Sequence, residues 1–508
     1  MVTDLFSRLA RPAELAPQSV ALAWHRASSR GGEEVWTYRR LFETAERVAR
    51  ALARRGVLPG DRIAFFAAPS PAFVVAMLAA LRAGAMLVPI NTAYRRREIA
   101  YILADATPRQ LMVDDAGRET IADIPGEELA GVEALVEMEE LLEERLERGV
   151  ASETSAACSE LPDLAPEVLA LMLYTSGTTG RSKGAELSHG NVIAMIESLR
   201  TAWEWSASDR LLLTLPLFHL HGLVVGLFTA LASGATVLLE PRFEAARAVD
   251  RLAAGEVTLF FGVPTLYVRL VDELGRRSPR PDLSSVRLFV SGSAPLAPET
   301  FQAFENLTGQ RILERYGMSE TGMLLSNPLH GRRIPGSVGT PLPGVEARIV
   351  DGAGLPVAPG AEGEIEVRGP GVFRGYRNAP AKTVESFHAG WFRTGDLARI
   401  DPESGHFFLL GRASELILSG GFNVYPREIE EVLLTFPGVR EAAVIGEKQS
   451  EFGQSPAAFL VTEGELDESA LAAHCREQLA AFKLPRRFVK VDSLPRNAMG
   501  KVEKRKLL

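Results

Sequence analysis

The stretch 174–184, Tyr-Thr-Ser-Gly-Thr-Thr-Gly-Arg-Ser-Lys-Gly, constrains this chain more than any other. An apolar run from Val168 to Leu173 leads into it and reads as a buried strand. A new element opens beyond it, around Ala185 to His189. Gly177, Gly180 and Gly184 free the backbone to approach a ligand closely. Thr175, Ser176, Thr178 and Thr179 add hydroxyl donors, and Arg181 and Lys183 add positive charge. Such a loop suits the phosphates of a nucleotide, because N–H groups, hydroxyls and cations converge on oxygens. The common P-loop, Gly-x-x-x-x-Gly-Lys-[Ser/Thr], does not fit: Ser182 and Ala185 stand where its second glycine belongs. A plain flexible linker would need neither the preceding strand nor the lysine at the loop's far end.

A chain of 508 residues, 46% of them hydrophobic, buries large cores and splits into two or more domains. Its net charge of −8 argues against a nucleic-acid partner. Cys158 and Cys475 are far apart, with neither a metal-ligand spacing nor a disulfide framework, which fits a reducing, cytoplasmic setting. The N-terminus has no long apolar segment of a secretory signal, and Asp4 and Glu14 count against a transit peptide. Residues 211–239 carry no charged side chain and are long enough to span a bilayer. Pro216, Gly222, Gly226 and Gly234 break that run, so a buried α/β core is expected and no membrane span.

Along the first 110 residues, helices alternate with short apolar strands. Tyr38 to Arg55 has helical spacing, Arg62 to Phe66 reads as a strand, Ala72 to Ala83 as a helix and Met86 to Ile90 as a strand. That alternation implies a parallel sheet covered by helices. The Glu-rich run from Glu137 to Arg148 reads as a solvated helix.

Further on, His219 and His221 stand two residues apart in Leu215 to Gly222. They could ligate a metal, but no third ligand of matching spacing is apparent; the other reading is a pair of satisfied core histidines. Val286 to Leu296 runs from a strand into a Gly/Ser turn containing Ser291, Gly292, Ser293 and Ala294. Ligands in open α/β sheets bind beyond the carboxyl ends of strands, which makes this turn a candidate site. In 313–323, Tyr316 offers a flat face to a purine and Gly317 permits close approach. Glu320 could hold Mg²⁺ against phosphate oxygens, and Thr321 could donate to the α-phosphate. Val338 to Gly344 and Gly363 to Pro370 suggest a small β-rich subdomain. Asp396 suits a pair of ribose hydroxyls.

Together these motifs resemble the adenylate-forming acyl-CoA synthetases, in the family's order and over nearly the whole chain. The 174–184 loop resembles the family's phosphate-binding signature, and Tyr316-Gly317-Met318-Ser319-Glu320 resembles its next motif, with Ser319 in place of the commoner Thr. The resemblance implies an α/β fold: a large N-terminal domain of two helix-flanked sheets plus a β-rich subdomain, residues 1–412, and a small mobile α+β C-terminal domain, residues 413–508. It makes Lys501, in Pro495 to Lys501, the adenylation lysine, and Arg412 a ribose contact at the domain border. Nucleotide binding falls to Thr175, Ser176, Gly177, Thr178, Thr179, Lys183, Ser293, Ala294, Glu314, Tyr316, Gly317, Thr321, Asp396 and Arg412. Thr175 and Glu320 are the Mg²⁺ positions, and Thr175, Glu320, His219 and Lys501 the catalytic ones. The acyl group falls to His219, His221, Ser291, Gly292, Arg315 and Met318, and coenzyme A to Ser419, Gly420 and Gly421. The family usually has Asp or Lys at the hinge, where this chain has Ser414.

The activity implied is a two-step ligation. A carboxylic acid and ATP give an acyl-adenylate and pyrophosphate, and coenzyme A then takes the acyl group as a thioester. ATP, Mg²⁺ and coenzyme A are used, with no tightly bound organic cofactor; the protein is expected as a monomer or homodimer. Arg315, directly before Tyr316, could pair with a second carboxylate of the acid. The strings around Arg315 and around Ser291 are similar to those of malonyl-CoA synthetases, implying malonate or methylmalonate. An ion pair of Arg315 with Glu314 or Asp396, and a fatty or aryl acid against Met318 and Met323, are the alternatives.

Overall fold

A computed structural model describes residues 4–507 apart from 26–32, 130, 148–160, 176–181, 420, 421, 450–452 and 498–500. Three sheets organise these residues. The first has seven strands, running from Gly375–Tyr376 through Lys183–Ser188, Leu169–Thr175, Met86–Pro89, Arg62–Phe66 and Gln110–Val113 to Ala134–Glu137. From Leu169–Thr175 outward its strands are parallel. Met86–Pro89 is buried at every position, as a parallel strand covered on both faces should be. The helix Pro71–Arg82 is buried along almost its whole length, which explains its lack of a polar face.

The strands Leu169–Thr175 and Lys183–Ser188 are antiparallel, with Thr175 opposite Lys183. The Gly-rich stretch therefore connects two antiparallel strands, unlike a P-loop, which joins a strand to a helix. Ser176, Gly177, Thr178 and Thr179 lie outside the described residues.

The second sheet has fourteen strands among the described residues. Its parallel half includes Val20–His25, Thr236–Leu239, Arg210–Leu213, Leu259–Gly262, Leu288–Ser291 and the start of Ile312–Met318. The last of these strands changes partners midway. Glu314 pairs in parallel with Ser291, while the next residue, Arg315, pairs antiparallel with Ser326. A bulge follows between Tyr316 and Gly317. The β-rich portion is thus continuous with the second sheet, and the switch falls on the residues singled out from sequence.

Residues 211–239 form strand, helix and strand pieces, buried throughout apart from a few positions around the Pro216 turn and Ser233. No helix among the described residues is long and apolar enough to cross a membrane. The helix Met138–Glu147 departs from a fully solvated reading. Met138 and Leu141 are buried, and the helix packs against Tyr38–Arg54 and Pro71–Arg82.

After the strand Phe407–Arg412 comes a 3-10 turn, Ala413–Glu415. The remaining residues build a separate five-stranded sheet with the helices Pro426–Leu434 and Glu468–Gln478. Its core gathers Ile417, Val424, Ile429, Leu433, Val444 and Leu460.

Candidate active site

Three groups of side chains meet where the two large sheets converge. The first surrounds Glu320, which is 5% exposed. Its Oε1 accepts from Tyr376 Oη at 3.0 Å and from Thr175 Oγ1 at 3.3 Å. Burial, then the charge of Glu320, raises the Tyr376 phenol and keeps it a donor. Lys183 lies 5.7 Å from the Tyr376 ring centroid, and its pKa is lowered by partial burial and by Lys382. A carboxylate and a hydroxyl at the base of a cationic hairpin are hard oxygen donors that fit Mg²⁺ sharing its ligands with phosphates. Thr321, beside Glu320, is buried, with its N–H bonded to the Met318 carbonyl at 3.2 Å.

The second group joins the switch strand to Trp391–Ile400 and Phe407–Arg412. Tyr316 Oη donates to Asp396 Oδ2, and Arg412 Nε pairs with Asp396 Oδ1 at 2.7 Å. Burial raises the Asp396 carboxyl, and the Arg412 guanidinium opposes it. Arg412 also donates to the Thr394 carbonyl at 3.1 Å. Gly317 is needed here sterically: a Cβ would come within 2.2 Å of the Gly322 carbonyl oxygen. Lys501 retains surface exposure, yet its ammonium is near enough to feel this group. Desolvation, then Arg412, lowers its pKa, while Asp396 and Glu415 act the other way. Lys501 thus lies within electrostatic range of Asp396 and Arg412, which sequence separation alone would not indicate.

The third group carries one buried cation. Arg315 is 4% exposed, and its Nε and Nη2 have no hydrogen-bond partner. Burial pulls its pKa down to about 9, so it remains protonated at neutral pH. Glu314 and Asp396 are engaged elsewhere: Glu314 accepts from the Gly336 N–H at 2.9 Å, and burial raises its carboxyl to about 8. No ion pair to Arg315 is formed among the described residues, which removes the structural ion-pair reading.

His219 and His221 lie within electrostatic reach of Arg315; burial, then that charge, lowers His219 to about 4 and His221 well below its ordinary value. Both are neutral at pH 7. His221 Nδ1 lies 3.3 Å from Ser293 Oγ, and its Nε2 has no partner. Ser293 holds a positive φ of 72°, a strained conformation for serine. The Ser291 hydroxyl is buried and unpartnered, and Gly292 lies directly against Arg315. Met318 packs half-buried at the edge of the core. No cluster of three or more His, Cys, Asp or Glu side chains placed to hold a metal ion is present among the described residues.

The other candidates are less concentrated. Ala294 is half-buried in the turn after Leu288–Ser291. Ser419 ends the strand Ile417–Ser419 in the C-terminal sheet, on an element separate from the three groups, and Gly420 and Gly421 lie outside the described residues. Tyr376 was not legible from sequence. It sits 56 residues from Glu320, and only the pairing of Gly375–Tyr376 with the hairpin brings it there.

Comparison with known proteins shows the family. The model of the AMP-binding enzyme family matches residues 9–377, and that of the AMP-binding enzyme C-terminal domain matches 428–501. The chain is 35% identical to the mitochondrial malonate–CoA ligase ACSF3 of Mus musculus, over 93% of this chain and 86% of that one. It is 34% identical to a feruloyl-CoA synthase of Amycolatopsis sp., over 94% and 95% respectively. The crystal structure of ATP-bound MatB from Rhodopseudomonas palustris superposes with a TM-score of 0.89 at 39% identity, covering 100% of this chain and 98% of that one. The chain therefore belongs to the AMP-binding enzyme family, the adenylate-forming acyl-CoA synthetases that its motifs resemble.

Proposed function

We propose that this protein is an ATP-dependent malonate–CoA ligase, with methylmalonate as a second substrate. One observation carries the choice of acid: Arg315 is a buried guanidinium whose Nε and Nη2 have no partner, beside the unpartnered His221 Nε2 and Ser291 Oγ. A buried charge without a partner is unfavourable, and a carboxylate supplied by substrate would compensate it with bidentate hydrogen bonds. The similarity to proteins named malonate–CoA ligase supports the same reading.

In the first half-reaction a carboxylate oxygen of the acid attacks the α-phosphorus of ATP. The bond to the bridging oxygen breaks and pyrophosphate leaves. Both reactants are anionic, so charge compensation dominates the barrier. Lys183 faces the leaving phosphates, Lys501 the forming bond, Asp396 and Arg412 the ribose, and Tyr316 the purine. His219 borders the reacting carboxylate, and Arg315 holds the distal one. Mg²⁺, when bound, supplies charge neutralisation at the phosphates, with Glu320 and Thr175 as its protein ligands. In the second half-reaction the thiol of coenzyme A attacks the acyl carbonyl and AMP leaves. Residues 413–508 act as the domain that turns between the two steps, bringing Ser419, Gly420 and Gly421 to the site in place of Lys501.

The test is coenzyme A-dependent AMP release from ATP with malonate, methylmalonate, acetate, octanoate and 4-coumarate in parallel. Preference for the two diacids is expected. Preference for octanoate or coumarate would retain the ligase and discard the diacid pocket, and the similarity to a feruloyl-CoA synthase makes coumarate the sharper competitor.

Gly292→Ala offers a second check. The new Cβ would fall 2.4 Å from Arg315 Cζ, so the guanidinium must shift from its present position. We expect malonate kcat/KM to fall roughly tenfold or more, because small misplacement of a charge clamp is amplified in rate. Acetate turnover, which does not use the clamp, should change much less. An equal loss on both acids would dissociate Gly292 from diacid recognition.

A further inference from the structure

Lys504 lies three residues past Lys501, in the 3-10 turn Lys504–Leu507. Its Nζ is 2.7 Å from Glu430 Oε1 and 3.4 Å from Glu415 Oε2, and the side chain is only 17% exposed. The two carboxylates belong to different parts of the C-terminal region. Glu415 closes the Ala413–Glu415 turn just after Arg412, and Glu430 is on the helix Pro426–Leu434. Glu430 Oε1 also accepts from the Val444 N–H at 2.7 Å, which anchors that helix to the sheet.

The residues on either side of 498–500 are tied to one another. Asn497 N donates to the Lys501 carbonyl at 2.9 Å, Lys501 N donates to Asn497 Oδ1 at 3.0 Å, and Glu503 N donates to the Pro495 carbonyl at 2.8 Å. Arg496 and Val502 pair across it. Lys504 therefore joins a small hairpin to both the turn and the helix.

The charge arrangement gives this contact a consequence. Glu415 attracts the Lys501 ammonium as Asp396 does. With Lys504 engaged, Glu415 already has a cation. Without it, Glu415 would become a competing partner for Lys501, a few residues from the position the ammonium needs. Desolvation works against the Lys504 ammonium, but Glu430 and Glu415 outweigh it and hold Lys504 above its ordinary range. Ser414 brings no charge to the turn, so Glu415 is its acidic group.

We infer that Lys504 is a positioning residue for adenylate formation: it occupies Glu415 and pins the hairpin that carries Lys501 at Asp396 and Arg412. This rests on the reading of Lys501 as the adenylation lysine. It gives the Ala413–Glu415 turn a charged link to the catalytic segment through Glu415 and Lys504.

The experiment measures the two half-reactions separately on the full chain: pyrophosphate release from ATP and malonate, and thioester formation from supplied malonyl-adenylate and coenzyme A. Lys504→Met should slow the first roughly 30- to 100-fold, the scale of a displaced catalytic group, and leave the second within about threefold. Lys504→Arg should restore the first, because a guanidinium can bridge the same two carboxylates. Lys501→Ala alone and combined with Lys504→Met completes the set. If both are right, the double variant loses no more than Lys501→Ala. Equal loss of both half-reactions in Lys504→Met, failure of arginine to rescue, or unchanged adenylation would overturn the positioning role. Unchanged adenylation in Lys501→Ala would instead overturn the underlying reading.

Discussion

Lys501→Ala is expected to reduce acyl-adenylate formation by about 10³-fold, the upper end for removing one preorganised group that stabilises transition-state charge. Thioester formation from a supplied adenylate should stay within about threefold, since an interaction made in only one transition state affects only that step. The physical basis is the surroundings of the ammonium. Arg412 and Asp396 lie within its electrostatic range, and Asp396 is already shared between Arg412 and Tyr316. Arg412 is therefore largely compensated, and in the proposed mechanism Lys501 meets the charge building on the α-phosphate. Separate assay of the two half-reactions checks this. Parallel loss in both would point to general damage to the C-terminal domain.

Arg315→Met should move activity and stability in opposite directions. Malonate kcat/KM should fall by about 10²–10³-fold, roughly 3–4 kcal/mol, the scale for breaking a buried charge pair. Activity on butyrate-like acids should persist, because their tails carry no second carboxylate for the guanidinium to hold. In the ligand-free protein the same substitution should raise the melting temperature, by an amount equivalent to about 1–4 kcal/mol, as when buried ionic groups are replaced by apolar ones of similar volume. The reason is that Arg315 is buried with two guanidinium nitrogens unpartnered, held below its usual pKa by desolvation. A group that is unfavourable for folding and retained in the pocket is the expected mark of a functional residue. Thermal melting with and without malonate checks both halves. An Arg315→Met protein that is less stable and still prefers malonate would identify the arginine as structural.

Much of the site was legible locally because each motif bundles its chemistry within a few residues. Thr175 and Lys183 are neighbours across a hairpin, and Tyr316, Gly317, Glu320 and Thr321 follow one another along one strand and its turn. Backbone periodicity likewise disclosed the parallel strands around Arg62–Phe66 and Met86–Pro89, since strands covered on both faces must be continuously apolar. Charge patterning was less informative for Met138–Glu147. There a few apolar residues on one face suffice for docking, and the glutamates hide them in composition.

The sequence by itself determined the fold class and the family and singled out the candidate groups, because those depend on short-range spacing and residue chemistry. Only the tertiary structure decided which groups act on one another. It brought Tyr376 to Glu320, Lys501 into the electrostatic range of Asp396, and Lys504 to Glu415 and Glu430. It also decided that Arg315 has no ion-pair partner among the described residues, since Glu314 turns to Gly336 and Asp396 to Arg412. The physical reason is common to all of these. A charge is compensated or left bare by whatever lies within a few ångströms of it in space, and separation along the chain carries no record of that distance.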